Sequence, residues 1–246
     1  MIEQSQESDR SRKSGAVLRH KKYACFVRIT LALVVSSVVV CFATAAWWIA
    51  ALGPAPLGEG LAYSALVVDR DGRLLRPYAT PDGRWRLPAT RERVDPRFLD
   101  ILFAYEDKRF LSHRGVDPLA LGRAVAQLVG NGRIVSGAST ISMQGARLLE
   151  PRTERTFAAK LRQIVRAIQL ERALGKDEIL ALYLSLAPYG GNLEGIRAAS
   201  LAYFGKEPRR LSLAESALLV ALPQSPETRR PDRPRRRTRS SRTIAV

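Results

Sequence analysis

The sequence contains few of the residues that build disulfides and metal centres. Its 246 residues include only two cysteines and two histidines. Cys25 and Cys41 both lie in or beside an uncharged N-terminal segment, so the rest of the chain has no thiol for a disulfide or a cysteine metal site. Because His20 and His113 are the only histidines, a histidine-based zinc site is also not expected.

Acidic side chains are scarce relative to basic ones. The chain has 23 Asp and Glu against 40 Lys and Arg, a net charge of +17. Much of the excess lies before residue 29 and in the arginine-rich segment 229–242, whereas the sequence between them is mixed in sign. No zinc finger, aromatic RNA-binding signature or convincing helix-turn-helix accompanies the charge, so nucleic acid is not an expected partner. A basic surface of this kind suits anionic membrane lipids.

Charged residues are absent from residues 29–52. At about 1.5 Å per residue, a helix of this length is about 36 Å long, enough to cross a hydrocarbon core of about 30 Å. Trp47 and Trp48 lie near its far end, where indole rings favour the headgroup layer. The basic residues before it predict a cytoplasmic N-terminus, which places everything after Gly53 outside the cytoplasmic membrane.

A cleaved signal peptide is the alternative for this segment, because Ala43-Thr44-Ala45 resembles a cleavage site. The apolar run continues through Leu52, however, and exceeds the usual apolar core of about 7–15 residues in a signal peptide. We therefore predict an uncleaved anchor over residues 23–52, preceded by a disordered basic tail over residues 1–22.

Turn-forming residues predict a small β platform over residues 53–94. Apolar stretches on both sides of residues 69–72 predict a β-hairpin over residues 64–75, and Pro81-Asp82-Gly83 predicts a second turn. Over residues 95–228 apolar side chains repeat with helical spacing, and residues 229–246 read as a disordered arginine-rich tail. The predicted fold class is all-α, with helix starts at Asp95, Asp117, Ser139 or Thr140, Thr156, Asp177, Asn192 and Ser212.

Two adjacent carboxylates, Glu106 and Asp107, end the first of these helices. A turn with His113 and Gly115 follows, and Asp117 opens the next helix. A fixed acidic pair at such a corner can hold a proton acceptor beside a bound sugar; the alternative is a solvated acidic helix end. The order E-D-x-x-F-x-x-H-x-G-x-D resembles the first signature of the peptidoglycan glycosyltransferases, glycosyltransferase family 51.

A second segment, residues 137–144, resembles that family's G-x-S-T-[IL]-[ST]-x-Q. It contains Ser139, Thr140 and Gln144. The resemblance implies a helix beside the substrate groove, and hydroxyl groups with free N–H groups at a helix start suit an anion such as a diphosphate. The alternative is an ordinary Ser or Thr helix cap.

The third signature, R-K-x-x-E, is only partly present. Ala159, Lys160 and Gln163 occupy the matching positions, so Lys160 is kept and the glutamate is replaced. The resemblance implies that Lys160, with Arg162 or Arg166, holds a diphosphate; a solvated basic face is the alternative for the two arginines. Gln163 can hydrogen-bond, but it binds a divalent cation less strongly than a carboxylate, which puts an Mg²⁺ or Mn²⁺ cofactor in doubt.

The resemblance covers about residues 60–234. Residues 176–185 are similar to K-x-x-I-L-x-x-Y-L-N with Ser185 in place of asparagine, and residues 188–192, 198–206 and 221–226 match expected scaffold segments. Met143-Gln144 and Gln163 resemble most the penicillin-binding protein 1C branch of the class A penicillin-binding proteins. The transpeptidase motifs and the fifth glycosyltransferase signature are not found, and the arginine-rich end is what a truncated or frameshifted gene would produce.

The family resemblance implies a lysozyme-like helical domain that polymerises lipid II into β-1,4-linked glycan strands and releases undecaprenyl diphosphate. Glu106 would be the general base, and Asp107 would tune or position it. Lipid II, the nascent strand, membrane lipids and other cell-wall synthesis proteins are the implied partners, at the bacterial cytoplasmic membrane. Two alternatives remain: an impaired homologue acting as a lipid II-binding scaffold, and a lytic transglycosylase or lysozyme-like muramidase.

Overall fold

The computed structural model describes residues 28–131, 139–151, 156–229 and 231. The chain divides into two compact units, Met1–Gly53 and Pro54–Val246. The first unit contains helix α1, Arg28–Ala51, whose mean hydropathy reaches 2.4. Within the described ranges it is the one helix long and apolar enough to cross a membrane, as the sequence predicted. The predicted tail over residues 1–22 lies outside the described residues, as does the predicted tail over residues 229–246 apart from residues 229 and 231.

The described residues of the second unit form five short strands: β1 Leu66–Val68, β2 Leu74–Pro77, β3 Trp85–Arg86, β4 Pro188–Gly190 and β5 Leu193–Glu194. Strands β1 and β2 pair antiparallel and form the predicted hairpin, with Asp69 accepting hydrogen bonds from the turn backbone. Strand β5 pairs parallel with β3 and antiparallel with β4. This three-stranded sheet joins the region predicted as a platform to the helices that follow.

Seven helices predominate in the part of this unit that the structure describes. The predicted all-α class with a small β-hairpin platform is therefore confirmed, and a three-stranded sheet is added to it. The helix bounds are α2 Pro96–Glu106, α3 Pro118–Asn131, α4 Ile141–Leu149, α5 Phe157–Ala173, α6 Lys176–Leu186, α7 Ile196–Phe204 and α8 Leu213–Ala221. Single 3-10 turns cover Arg91–Arg93, Pro208–Arg210 and Leu222–Gln224.

Capping side chains begin most of these helices where the sequence predicted. Asp95, Thr140 and Thr156 each accept a hydrogen bond from a backbone N–H of the first turn. Ser212 and Glu215 form the predicted capping box at the start of α8. Each cap satisfies N–H groups that have no partner within the helix.

Two predicted boundaries were wrong. Asp177 was expected to start α6, but Gly175 is its N-cap, and the Gly175 N–H donates to Glu178 at 2.7 Å. The seventh helix was expected from Asn192 but begins at Ile196, because the preceding residues form β5. Pairing with β3, more than 100 residues earlier, decides that conformation. The apolar periodicity of residues 192–195 does not indicate such a distant pairing.

The core lies where α2, α4, α6 and α8 meet. Helix α4 packs on α5 and α6, and α2 packs on α8. Phe98, Ile141, Tyr183 and Leu219 are almost completely buried there. This packing brings the ends of α2 and α8 and the length of α4 to one place, which positions the predicted site.

Acid is expected to weaken the start of α8. Hydrogen bonds from Lys206 and from the Ser212 backbone and side chain lower the pKa of Glu215 from 4.5 to about 2. Because the folded-state pKa is the lower one, this stabilisation is complete above about pH 4.5 and is lost as the pH falls toward about 2. We expect Glu215→Gln to have a lower thermal unfolding midpoint than the wild type at pH 7. On acidification its midpoint should fall less than that of the wild type. An unchanged pH dependence would contradict this account.

Candidate active site

Glu106 is the last residue of α2, and both of its carboxylate oxygens are held by amide groups. Gln144 Nε2 on α4 donates to Oε2 at 2.8 Å, and Gln224 Nε2 donates to Oε1 at 3.1 Å. We call Gln144 and Gln224 the amide clamp. Two residues predicted from separate motifs, Glu106 and Gln144, are therefore brought together. Gln224 was missed, because residues 221–226 matched the family but were read as scaffold.

Asp107 points away from this clamp and into the protein. Its carboxylate accepts hydrogen bonds from His113 Nε2 at 2.9 Å and from the Ile141 N–H at 3.0 Å. Both the Asp107 and His113 side chains are almost fully buried. The two residues thus tie the end of α2 to the following turn and to the first N–H of α4, where helix polarity favours a negative charge.

The start of α4 differs from the sequence expectation of free N–H groups open to an anion. The Thr140 hydroxyl donates to Gly115 O at 2.6 Å and accepts from the Met143 N–H at 3.1 Å. The Ile141 N–H is taken by Asp107. Thr140 is only 2% exposed, so its hydroxyl fixes the helix start and does not face a groove. Residues 137 and 138 of this signature lie outside the described part of the chain.

The turn between α2 and α3 is held by an ion pair. Arg109 Nε and Nη2 donate to Asp117, which also accepts from the Leu119 and Ala120 N–H groups. Burial raises the pKa of Asp117, but Arg109 and these backbone donors outweigh it and leave that pKa below the ordinary value. The carboxylate stays ionised and fixes the corner that carries His113.

Gly115 is required where this turn approaches α5. Its φ is +90°, and a Cβ there would lie 2.8 Å from the Ala167 backbone. A side chain is excluded both by that distance and by the left-handed conformation.

Three polar groups gather where α4 and α5 meet. Lys160 Nζ donates to Ser139 Oγ at 2.5 Å. Burial, followed by the charge of Arg147, lowers the pKa of Lys160. We call Lys160 and Arg147 the cation pair; neither has a carboxylate partner among the described residues. Arg147 was not singled out from the sequence; its position three residues after Gln144 was the available signal.

Helix α4 connects this cation pair with the clamp. Gln144 and Arg147 are three residues apart, and side chains with that spacing share a helix face with Cβ atoms about 5–6 Å apart. The carboxylate of Glu106 therefore lies on the side of α4 that also carries Arg147. A proton acceptor and paired cations on one face can serve a reaction that deprotonates a nucleophile and releases an anion.

The other predicted residues of α5 are not drawn to Glu106 by any described contact. Arg166 is buried, and it donates to Glu150 at 2.7 Å and to Gln169 at 2.9 Å. It therefore joins α5 to the end of α4. Gln163 is half-buried on α5, one helical turn after Lys160.

Glu171 does not replace the carboxylate that Gln163 lacks. It accepts from Ser142 Oγ at 2.5 Å and from Lys176 Nζ at 2.6 Å. The Lys176 ammonium also donates to His113 O and lies over the Phe110 ring. Glu171 and Lys176 thus support the His113 turn as a partly buried ion pair.

The charge of Glu106 acts on two buried tyrosines, Tyr183 and Tyr189. Burial, followed by the charge of Glu106, raises the pKa of Tyr183. Burial, Tyr183 and Glu106 also raise the pKa of Tyr189 well above 10.0. Both phenols stay neutral, so neither is a base at neutral pH.

The side chains around Glu106 offer few ligands for a divalent cation. Within the described ranges, no group of three or more His, Cys, Asp or Glu side chains could hold a metal ion. The Asp107 carboxylate is bonded to His113 and Ile141, and Glu106 is the one carboxylate that faces the amide N–H donors of the clamp. A single carboxylate beside N–H donors does not fit a metal site.

A cavity of about 660 Å³ reaches Arg147 but not Lys160. Arg147 is on its wall, together with Arg84 and Arg86, whereas Glu106 is not. Arg86 is neutralised by Glu194 at 2.6 Å. We place the candidate site at Glu106 and the clamp because the reactive groups converge there, not in this cavity.

Comparison with known proteins identifies the family. The transglycosylase family matches residues 71–246. The chain belongs to the transglycosylase family. Penicillin-binding protein 1C of Escherichia coli is 51% identical over 189 residues, 77% of this chain and 24% of that protein. Penicillin-binding protein 1A of Escherichia coli is 38% identical over 67% of this chain and 19% of that protein. Penicillin-binding protein 1F of Bacillus subtilis is 36% identical over 68% of this chain and 23% of that protein.

The transglycosylase match confirms the resemblance drawn from the motifs. It also accounts for a mostly helical unit with small sheets. The chain spans about a quarter or less of the length of these relatives. All the site residues described above lie within the transglycosylase match.

Proposed function

We propose that this transglycosylase polymerises lipid II into β-1,4-linked glycan strands. The observation that carries the proposal is the Glu106 carboxylate, held by the amide clamp on the face of α4 that also carries Arg147. A general base and a cation pair are the two elements that glycosyl transfer from a diphosphate needs.

In the proposed reaction Glu106 accepts the proton of the 4-hydroxyl of lipid II. That oxygen forms a bond to the anomeric carbon of the growing strand, and the bond from this carbon to the diphosphate oxygen breaks with inversion. The leaving group departs as undecaprenyl diphosphate and needs no acid. Lys160, Arg147 and Ser139 balance the charge of this leaving group. We propose that the same three residues also bind the diphosphate before the reaction.

Asp107 and His113 act in this proposal as supports. Their buried hydrogen bonds fix the corner from which Glu106 projects and the start of the helix that carries Gln144. A base held in place needs no reorganisation when the acceptor sugar arrives.

The proposed location is the bacterial cytoplasmic membrane, with α1 as an uncleaved single-pass anchor. A basic segment precedes α1 in the sequence, which supports a cytoplasmic N-terminus and a catalytic unit on the other side. Other cell-wall synthesis proteins are proposed partners on the strength of the family alone.

The experiment that tests the function is gel analysis of labelled lipid II incubated with the purified full-length protein. Strands of increasing length are expected. A parallel incubation with finished sacculi separates the muramidase alternative, because only a lytic enzyme would release muropeptides. Binding of lipid II with no strands would favour the scaffold alternative, which is supported by the neutral Gln163.

Restoring the family's carboxylate with Gln163→Glu is expected to raise the polymerisation rate and make it respond to Mg²⁺ or Mn²⁺. Gln163 makes no side-chain hydrogen bond to a described residue, so the substitution should not disturb the fold. The measurement is strand synthesis with and without a chelator, and Gln163→Met is the matched control. Equal rates in wild type, Gln163→Glu and Gln163→Met would show that the position is idle.

A further inference from the structure

Gln224 reaches Glu106 across 118 residues of sequence. It ends the 3-10 turn Leu222–Gln224, which directly follows α8, and α8 packs on α2. Gln144 holds one oxygen of Glu106 from α4, and Gln224 holds the other from the exposed side. Each oxygen thus has one amide donor, which leaves further lone pairs on both for an incoming hydroxyl.

Two neighbours decide which end of the Gln224 amide faces the carboxylate. Tyr105 OH donates to Gln224 Oε1 at 3.2 Å, and Arg229 Nη1 donates to the same oxygen at 3.5 Å. Arg229 is itself fixed, since its Nη1 also donates to Ala221 O at 2.8 Å. A flipped amide would turn its oxygen toward Glu106 and its NH₂ toward the guanidinium, and both contacts would be repulsive.

We propose that Gln224 is a positioning residue for the Glu106 base, oriented by Tyr105 and Arg229. Without it, the carboxylate keeps only its inner contact with Gln144 and can swing toward solvent. Small displacements of a reacting group reduce the rate strongly, because the bound geometry must approach that of the transition state. The inference rests on the proposed function and adds a residue that the sequence motifs had assigned to the scaffold.

The kinetic test is Gln224→Met in the full-length protein, which keeps the side-chain length and removes the donor. We expect kcat for strand synthesis to fall about three- to tenfold, the value of one partly exposed hydrogen bond to a charged group. The KM for lipid II should change less than about twofold. Gln127→Met on α3, outside the site, is the matched control and should keep the wild-type kcat.

Tyr105→Phe provides a second variant that acts through Gln224. On its own it should lower kcat less than Gln224→Met, since Arg229 still contacts the amide oxygen. Combined with Gln224→Met it should add nothing, because the group that it orients is gone. Additive losses would mean that Tyr105 acts by another route and would overturn the orienting role.

A spectroscopic test does not depend on activity. In full-length protein labelled with ¹⁵N-glutamine, Gln224→Met identifies the Gln224 side-chain NH₂ signal by its loss. In Glu106→Ala the signals of Gln144 and Gln224 should both move, whereas that of Gln163 should stay in place.

These experiments distinguish a failure of the positioning role of Gln224 from a failure of the proposed function. An unmoved Gln224 signal in Glu106→Ala, a Gln224→Met variant with wild-type kcat, or a loss confined to KM would each overturn the positioning role. If the wild-type protein makes no strands, the proposed function fails. The chemical shift of the Gln224 NH₂ signal in Glu106→Ala then tests by itself whether Gln224 contacts Glu106.

Discussion

Replacing Glu106 with glutamine is expected to abolish strand synthesis from lipid II and leave the fold intact. The amide has nearly the shape of the carboxylate but cannot accept the proton, and general base catalysis is typically worth about 10²–10⁴-fold. Unfolding is not expected, because Glu106 is half-buried and the amide oxygen still accepts from one arm of the clamp. The measurement is the rate of polymerisation of labelled lipid II.

Glu59→Gln is the matched control for this substitution. Glu59 is exposed in the segment before β1 and lies outside the site. It should keep the wild-type rate, and both variants should unfold near the wild-type temperature. A Glu106→Gln protein that polymerises lipid II at the rate of Glu59→Gln would reject Glu106 as the base.

Asp107→Ala is expected to have the largest effect on stability. The substitution removes a buried carboxylate and leaves His113 Nε2 and the Ile141 N–H without their partner. Stranding buried groups bonded to a charge costs about 3 kcal/mol. For a unit of this size that is a fall of about 6–12 °C in the thermal midpoint.

Two controls give this result its meaning. Asp100→Ala removes an exposed carboxylate from the same helix and should change stability by less than about 0.5 kcal/mol. Asp107→Asn keeps an oxygen acceptor, so its thermal midpoint should lie between those of Asp107→Ala and Asp100→Ala. Equal midpoints for Asp107→Ala and Asp100→Ala would show that Asp107 does not brace the corner.

Much of the site could be predicted because its parts are local. Glu106, Asp107 and His113 lie within one short turn, and their hydrogen bonds connect that turn to α4, the other segment with a recognisable motif. Lys160 and Ser139, each linked to a diphosphate through its own motif, form a hydrogen bond with each other. Each of these residues could be found because its neighbours in sequence formed a pattern.

The orientation of the side chains could not be predicted in the same way. Thr140 and Arg166 belong to the right segments, but burial turns one toward Gly115 and the other toward Glu150. A motif gives the residue type and its position along a helix, but it does not say which face of that helix the core will cover. The roles of Arg147 and Gln224 depend on the same information.

By itself the sequence determined the elements and the chemistry that each could carry. Helix caps, apolar periodicity and the uncharged run of α1 depend on residues that are close in sequence. The acidic pair at the end of α2 can likewise be identified from the sequence alone. Only the tertiary structure decided that Asp107 turns inward while Glu106 meets Gln144 and Gln224. That choice depends on α2 packing on α8 and α4 packing on α6, contacts between segments far apart in the chain whose geometry no local preference specifies.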